Sequence, residues 1–264
     1  MKPLDNKIKY YELLMKYDNT SIFKKYELPD DFHFEYYKPG DELEWVNIHI
    51  ESGEFTSIKQ GLEWFHTFYD SFIEELNERC IFIVDNTTNE KIGTATVSLL
   101  KEKEYGYDAA IDWVAIKKQY QGRKLSKPLI SKFIEIASKL GHKKIILHTQ
   151  TTTWLAAKIY LDYGFEILNS EEEIGWSILK TITNHEKLLN YKTLENKEIY
   201  DERNIEIENQ LKKVYNTEDF NYSVWYKNGL HNVYTYCNGI SREYEYYIEN
   251  DKLLLKEIKQ KEEV

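Results

Sequence analysis

The sequence predicts an α/β (α+β) fold: a mixed, mostly antiparallel sheet flanked by helices, then a small unit of one helix and an antiparallel β-meander. Three observations carry this. From about residue 30 to 182, apolar runs of strand length alternate with apolar ladders of helical period. Apolar density then falls between Thr183 and Asn196. Beyond that, four β-rich runs follow one another, with Asn228-Gly229 and Asn238-Gly239 separating the first three. Asn-Gly between alternating runs is a hairpin signal, because both turn positions need positive φ. The expected units are 1–185 and 196–264, which suits a chain of 264 residues at about 150 residues per domain.

Each element has its own warrant. Residues before about 30 read as a helical arm, from Tyr10-Tyr11-Glu12-Leu13-Leu14-Met15 to Ile22-Phe23. Phe32 to Tyr37 reads as a strand closed by Pro39-Gly40. Leu43, Trp45, Val46 and Ile50 mark a helix over Asp41 to Ser52, with Asp41 as its N-cap. A second helix runs from Ser57 to Arg79 on the ladder Leu62, Phe65, Phe68, Tyr69, Phe72, Ile73 and Leu76. Three strands follow, at Cys80 to Val84, Ile92 to Leu100 and Ala109 to Ile116. The loop Gln121 to Pro128 opens a helix that lasts to about Leu140, where Gly141 stops it. Lys144 to Thr149 is a strand, Trp154 to Asp162 a short helix, Gly164 to Leu168 a strand, and Trp176 to Ile182 the last strand of this unit. A helix from Ile199 to Tyr215 then carries Ile207, Leu211 and Val214 on one stripe, and the meander follows.

Composition excludes several classes. No stretch approaches the roughly 18 apolar residues of a membrane span, and the start Met1-Lys2-Pro3-Leu4-Asp5-Asn6 has no apolar signal core. Cys80 and Cys237 lie far apart without CxxC spacing, so neither a disulfide framework nor a cysteine zinc site is expected. A cytoplasmic protein fits both facts. A net charge of −10 disfavours nucleic-acid binding and favours a cationic small substrate. The 22 tyrosines need partners for their hydroxyls, which suggests wet clefts as well as a core.

The loop Gln121-Gly122-Arg123-Lys124-Leu125-Ser126-Lys127-Pro128 follows a buried strand and opens a helix. Free helix N-terminal N–H groups and nearby cations can hold an anion such as a pyrophosphate. Pro128 suits a first helical turn. The same residues also make an ordinary basic loop capped by Ser126. Context weighs for the anion site. Trp113-Val114-Ala115-Ile116-x-x-x-Tyr120-Gln121-Gly122-Arg123-Lys124-Leu125-Ser126 resembles the cofactor motif of the GNAT superfamily of N-acetyltransferases, Arg/Gln-x-x-Gly-x-Gly/Ala after a strand. Gln121 matches the first position, while Lys124 and Ser126 stand at the two small-residue positions. Farther on, Thr153-x-x-Ala156-x-x-Ile159-Tyr160-x-x-x-Gly164-Phe165 resembles the family's Asn-x-x-Ala-x-x-Leu-Tyr-x-x-x-Gly-Phe segment, with Thr153 in place of Asn. The resemblance covers about residues 30 to 182.

The resemblance implies a GNAT-like fold whose central strands splay to admit the pantetheine arm of acetyl-CoA. Val114, Ala115 and Ile116 would offer backbone groups to that arm, and the N–H groups from Gly122 to Lys127 would hold the diphosphate. Thr153 and Ala156 would lie along the arm, and Tyr160 would protonate the departing thiolate as general acid. The implied activity is direct transfer of an acetyl group to a primary amine, on a small molecule or a peptide.

A general base is less well marked. Asp112 sits in an apolar strand, where an ionisable group is costly unless paired or functional. Strand alternation puts it on the face of Val114 and Ile116. Glu51 and Glu54, between the first two helices, are candidates for the acceptor side. His142 and His148 flank a strand without a third ligand at metal spacing, and Cys80 has no activating neighbour. No metal site is expected. Two rival readings stand beside the transferase: an acyl-CoA-binding sensor without catalysis, and a protein that acts through its C-terminal unit. Tyr222, Trp225, Tyr226, Tyr234, Tyr236, Tyr244 and Tyr246 suit a partner surface or a homodimer there, and equally the unit's own core.

Overall fold

The computed structural model describes residues 4–227, 230–238, 240–250 and 252–261. The expected turn residues Asn228, Gly229 and Gly239 lie outside the described residues, as do Met1, Lys2 and Pro3.

The chain opens with a strand, β1 (Glu12–Tyr17), where a helical arm was expected. Leu13, Leu14 and Met15 are all buried, because β1 pairs on one side with a strand at Ile145–Gln150 and on the other with one at Glu166–Ile167. A strand covered on both faces has no polar side to show, so its apolar run lacks alternation. Next come β2 (Phe32–Tyr36), α1 (Glu42–Ser52) and α2 (Ile58–Tyr69). Asp41 does not cap α1 through its side chain; its carboxylate accepts from the Lys38 N–H and pairs with Lys91. Ser57 caps α2 by accepting from the Gln60 N–H at 3.2 Å. The expected single helix to Arg79 is broken at Phe72 (φ −145°), and a 3₁₀ segment leads into α3 (Leu76–Arg79).

Strands β3 (Cys80–Asp85), β4 (Lys91–Glu104) and β5 (Tyr107–Ile116) form a meander. Then follow α4 (Ser126–Lys139), β6 (Ile145–Gln150), α5 (Trp154–Tyr163) and β7 (Glu166–Ile167). The segment expected as a last strand is instead a helix, α6 (Glu173–Thr183). Its run from Gly175 to Leu179 is buried throughout, since Trp176 and Leu179 face the main core while Ile178 packs on Ile8 and Ile199. A helix buried on two sides looks like a buried strand when only the apolar run is read. Asp201 caps α8 (Glu202–Tyr215), which follows the single turn α7 (Asn196–Ile199). Ile207 and Leu211 of α8 are buried, but Val214 is exposed and leaves the expected stripe.

The main sheet has seven strands in the order β2-β3-β4-β5-β6-β1-β7, antiparallel except between β5 and β6. On one face α4, α5 and α6 cover the largest apolar cluster; on the other α1 and α2 cover a second. The α1–α2 contact depends on Gly61, where a Cβ would stand 2.4 Å from Val46 Cγ1 and 3.1 Å from the Phe55 ring. Gly61→Val is expected to cost about 1–3 kcal/mol of stability through overpacking, read by urea unfolding; an unchanged midpoint would contradict this contact.

The C-terminal sheet is a meander, β8 (Asn221–Lys227), β9 (Leu230–Cys237), β10 (Ile240–Glu249) and β11 (Lys252–Lys261), with α8 on its own apolar cluster. The N-terminal segment straps this unit to the main sheet. Lys7 O accepts from Asp201 N–H at 2.7 Å, Asn6 Nδ2 donates to Tyr222 O at 2.6 Å, and Lys7 Nζ pairs with Glu208 at 3.3 Å. Glu208 is buried and also takes Lys212 at 3.1 Å and the Tyr222 hydroxyl at 2.7 Å. Burial alone would raise its pKa, but the hydrogen bond from Tyr222 and the two ammonium groups outweigh this and hold it below the usual carboxylate value. A lowered folded pKa gives stability that is present above the unfolded value of about 4.3 and lost as pH falls through the folded one. Protection of the β8 amides from hydrogen exchange, taken against the intrinsic rate at each pH, is therefore expected to be high at neutral pH and to fall in acid. Glu208→Gln should show the lower protection already at neutral pH, and unchanged protection would contradict the strap.

Candidate functional site

The site begins with a break in the sheet. β5 and β6 pair in parallel only at Ala110↔Ile146 and Ile111↔Leu147. Just beyond, β5 carries a bulge: Thr96 opposes Asp112, but Thr94 opposes Ala115, and Trp113 sits at φ +53°. One extra residue bends a strand and resets which face each later side chain occupies. Asp112 therefore does not share a face with Val114 and Ile116, as simple alternation predicts. Val114 and Ile116 pack on the cluster under α4, while Trp113 and Ala115 join the α1–α2 cluster.

The divergence opens a cleft of about 890 Å³. Val114, Ala115, Ile116, Gln121, Gly122, Lys124, Leu125, Ser126, Lys127, Thr153, Ala156 and Tyr160 all line it. Arg123 does not; its guanidinium lies 4.7 Å from the centre of the Tyr120 ring. Loop shape follows from two left-handed residues, Gly122 at φ +80° and Lys124 at φ +63°. A lysine held there costs roughly 1–2 kcal/mol relative to right-handed backbone, so the turn is imposed by its surroundings. Gln121 Nε2 anchors the loop on Ile116 O at 3.0 Å, and buried Leu125 pins its far end at the start of α4. Lys127 stands 5.4 Å from the Tyr26 ring centre, at a wall made by Tyr26 to Pro29 that sequence reasoning missed. Thr153 Oγ1 accepts from Gln150 N–H at 3.3 Å and donates to Gln150 O at 3.1 Å, so it shapes the turn before α5.

Two ionisable groups of the lining, Tyr160 and Glu54, act on each other electrostatically. Tyr160 on α5 is buried, its ring centre 5.7 Å from that of Phe165. Burial raises its pKa, and the negative charge of Glu54 raises it further. Glu54 reaches the cleft because α1 ends at Gly53 in the left-handed region (φ +100°). That turn brings the N–H groups of Gly53, Glu54 and Phe55 to His49 O at 3.2, 2.9 and 3.3 Å. The His49 side chain, wholly buried, donates from Nδ1 to Glu54 Oε2 at 2.5 Å. Its ring sits among Trp45 (4.2 Å), Trp113 (5.3 Å) and Phe55 (5.5 Å), and Nε2 has no hydrogen-bond partner among the described residues. No motif points to His49, because the contact needs the tight turn at Gly53.

The structure does not bring the other candidates to the cleft. Asp112 stands opposite Thr96 and acts on buried Tyr69, on the α2 side of the sheet. Glu51 pairs with Lys117 at 2.9 Å. His142 contacts Asp108 at 3.2 Å and His148 contacts Glu12 at 2.9 Å. Cys80 is buried, which pushes its thiol up to about 11. Among the described residues no group of three or more His, Cys, Asp or Glu could hold a metal ion, and no helix is long and apolar enough to cross a membrane.

A mixed sheet parted between two parallel strands, with a basic helix start beside the opening, defines the architecture of the site. Residues 44–165 match the sequence model described as the Acetyltransferase (GNAT) family. Over that span the chain thus carries a domain similar to GNAT acetyltransferases. A GCN5-related N-acetyltransferase from Sphaerobacter thermophilus shares the fold, at 15% identity and a TM-score of 0.50, over 61% of this chain and 49% of that one. A GNAT-family acetyltransferase from Colwellia psychrerythraea is similar at 12% identity and a TM-score of 0.46, over 61% and 55%. The chain spans about half the length of these structures. Comparison with curated proteins gives no match.

Proposed function

We propose that this protein moves an acetyl group from acetyl-CoA to a primary amine by direct transfer. One observation carries the reading: a buried phenol and a carboxylate line the same cleft, Tyr160 from α5 and Glu54 from the turn after α1, and the charge of Glu54 acts on the phenol. The amine nitrogen attacks the acetyl carbonyl carbon; a C–N bond forms and the C–S bond breaks. Glu54 takes the amine proton, directly or through water, and Tyr160 gives its proton to the leaving sulfur. The two roles support each other. While Glu54 is ionised its charge strengthens the hold of Tyr160 on its proton. Once Glu54 is protonated that contribution vanishes, and Tyr160 becomes a better acid when the thiolate departs. Proton return through water resets both groups. The test is acetyl-CoA turnover followed by thiol release on adding amines. Acetyl-CoA binding without thiol release for any amine would favour the sensor reading.

The diphosphate is assigned to the loop at Gly122–Lys127, with Lys124 and Lys127 as its cations. Lys124→Glu with Lys127→Glu is expected to weaken acetyl-CoA binding by about 10-fold or more, since a hydrogen bond to a charged group contributes about 1.5–3 kcal/mol. Arg123→Glu, on the residue turned to Tyr120, is expected to change it far less. Calorimetry on the variants measures both, and equal losses would contradict the assignment.

A further inference from the structure

We infer that the C-terminal unit builds the acceptor end of the cleft, and that this end selects a small cationic amine. The inference rests on the transferase reading and extends it. Leu4, Asn6, Glu54, Phe220, Asn221 and Tyr222 line the same cleft as Tyr160. They come from the N-terminal strap, the turn after α1 and the start of the C-terminal sheet. The junction is tight at Gly53, where a Cβ would stand 3.3 Å from both Asn221 Oδ1 and Leu4 Cδ2. Asn221 Nδ2 donates to Ile50 O at 3.0 Å, on the last turn of α1. Phe220 thus stands beside the turn that presents Glu54, as part of the wall that the acceptor meets.

The chemistry of this wall is one-sided. Both side-chain amides use their N–H groups on backbone carbonyls, Asn6 on Tyr222 O at 2.6 Å and Asn221 on Ile50 O. Their oxygens remain as acceptors, and Glu54 adds a carboxylate whose partner is His49. Lys118, which also lines the cleft, is paired with Asp219. Acceptors and the Glu54 carboxylate, with Glu208 behind Tyr222 already paired to Lys7 and Lys212, stand beside apolar Leu4 and Phe220 and suit a ligand that carries N–H donors, positive charge and a hydrocarbon stem. They oppose an amine that also bears phosphate, whose oxygens would meet lone pairs. The wall draws on three chain segments, the N-terminal strap, the turn after α1 and the start of the C-terminal sheet, which on this reading suits a small molecule better than an extended polypeptide.

The experiment uses the full chain with acetyl-CoA and four probes: 1,4-diaminobutane, phenethylamine, glucosamine 6-phosphate and a lysine-containing hexapeptide. Thiol release is expected to be most efficient with the diamine, by roughly 10-fold in kcat/KM over the phosphorylated amine and the peptide, because one like-for-opposite charge contact near a protein surface is worth a few kcal/mol. Leu4→Lys adds a cation at a half-buried position of the wall, beside Gly53. It should raise the diamine KM about 10-fold with the acetyl-CoA KM unchanged. Asn221→Ala should raise the amine KM in the same selective way. Preference for the peptide or the phosphorylated amine would overturn the inference, as would variants that move the acetyl-CoA KM instead. No turnover with any probe, while calorimetry still shows acetyl-CoA bound, would also overturn it. Loss of acetyl-CoA binding in the unmodified chain would overturn the transferase reading beneath it.

Discussion

Tyr160→Phe is expected to lower kcat by about 10²–10⁴-fold, the usual contribution of a positioned general acid, with acetyl-CoA affinity nearly unchanged. The phenylalanine keeps the ring against Phe165 and within the core under α4, so packing is preserved and only the hydroxyl is lost. Burial and the charge of Glu54 keep this phenol protonated across the neutral range, so the wild-type rate should show no loss from its ionisation there. Single-turnover thiol release with saturating amine measures the effect. A Phe variant with full kcat would assign the proton to water. A variant that merely unfolds at lower temperature would leave Tyr160 a packing residue.

Glu54→Gln carries the second large effect. With no carboxylate at the turn after α1, only the fraction of amine that is already neutral can react, and at pH 7 that fraction is small for an amine of pKa about 10. The rate should fall by about 10²–10⁴-fold at neutral pH and climb steeply as pH rises, whereas the wild-type profile stays flatter. His49→Gln tests the support behind it. Loss of the Nδ1 donor frees the Glu54 carboxylate to turn away. The pH profile should shift toward that of Glu54→Gln while retaining part of the rate. A purely structural His49 would lower stability and leave the shape of the profile alone.

Much of the main sheet was legible because its strands and helices carry their own period. β3 to β6 and α4 and α5 stand close to where apolar runs and Gly141 put them. Two elements failed for one shared reason. Leu13 to Met15 and Gly175 to Leu179 are both buried on all sides, and a uniformly apolar run has no face from which to read a period. Within the cleft, the loop at Gln121 to Lys127 and Tyr160 followed from ordered local motifs. Asp112 did not, because the bulge at Trp113 changes side-chain parity without any glycine to announce it. His49 meets Glu54 through the tight turn at Gly53, and Asn6 and Phe220 reach the cleft only by packing between distant segments, which no local pattern encodes.

The strap has a consequence for biosynthesis. β1 sits between β6 and β7, with Glu12 opposite Gln150, and Lys7 and Asn6 hold Asp201 and Tyr222. During translation the earliest of these segments leaves the ribosome long before any of its partners exists. The nascent chain can form the β2–β5 meander early, but β1 must wait, its apolar side chains uncovered, until β6 emerges. Non-local pairing of this kind folds slowly and exposes aggregation-prone surface meanwhile. A chain ending after β7 would therefore hold every strand of the main sheet, yet still lack Phe220, Asn221 and Tyr222 of the cleft.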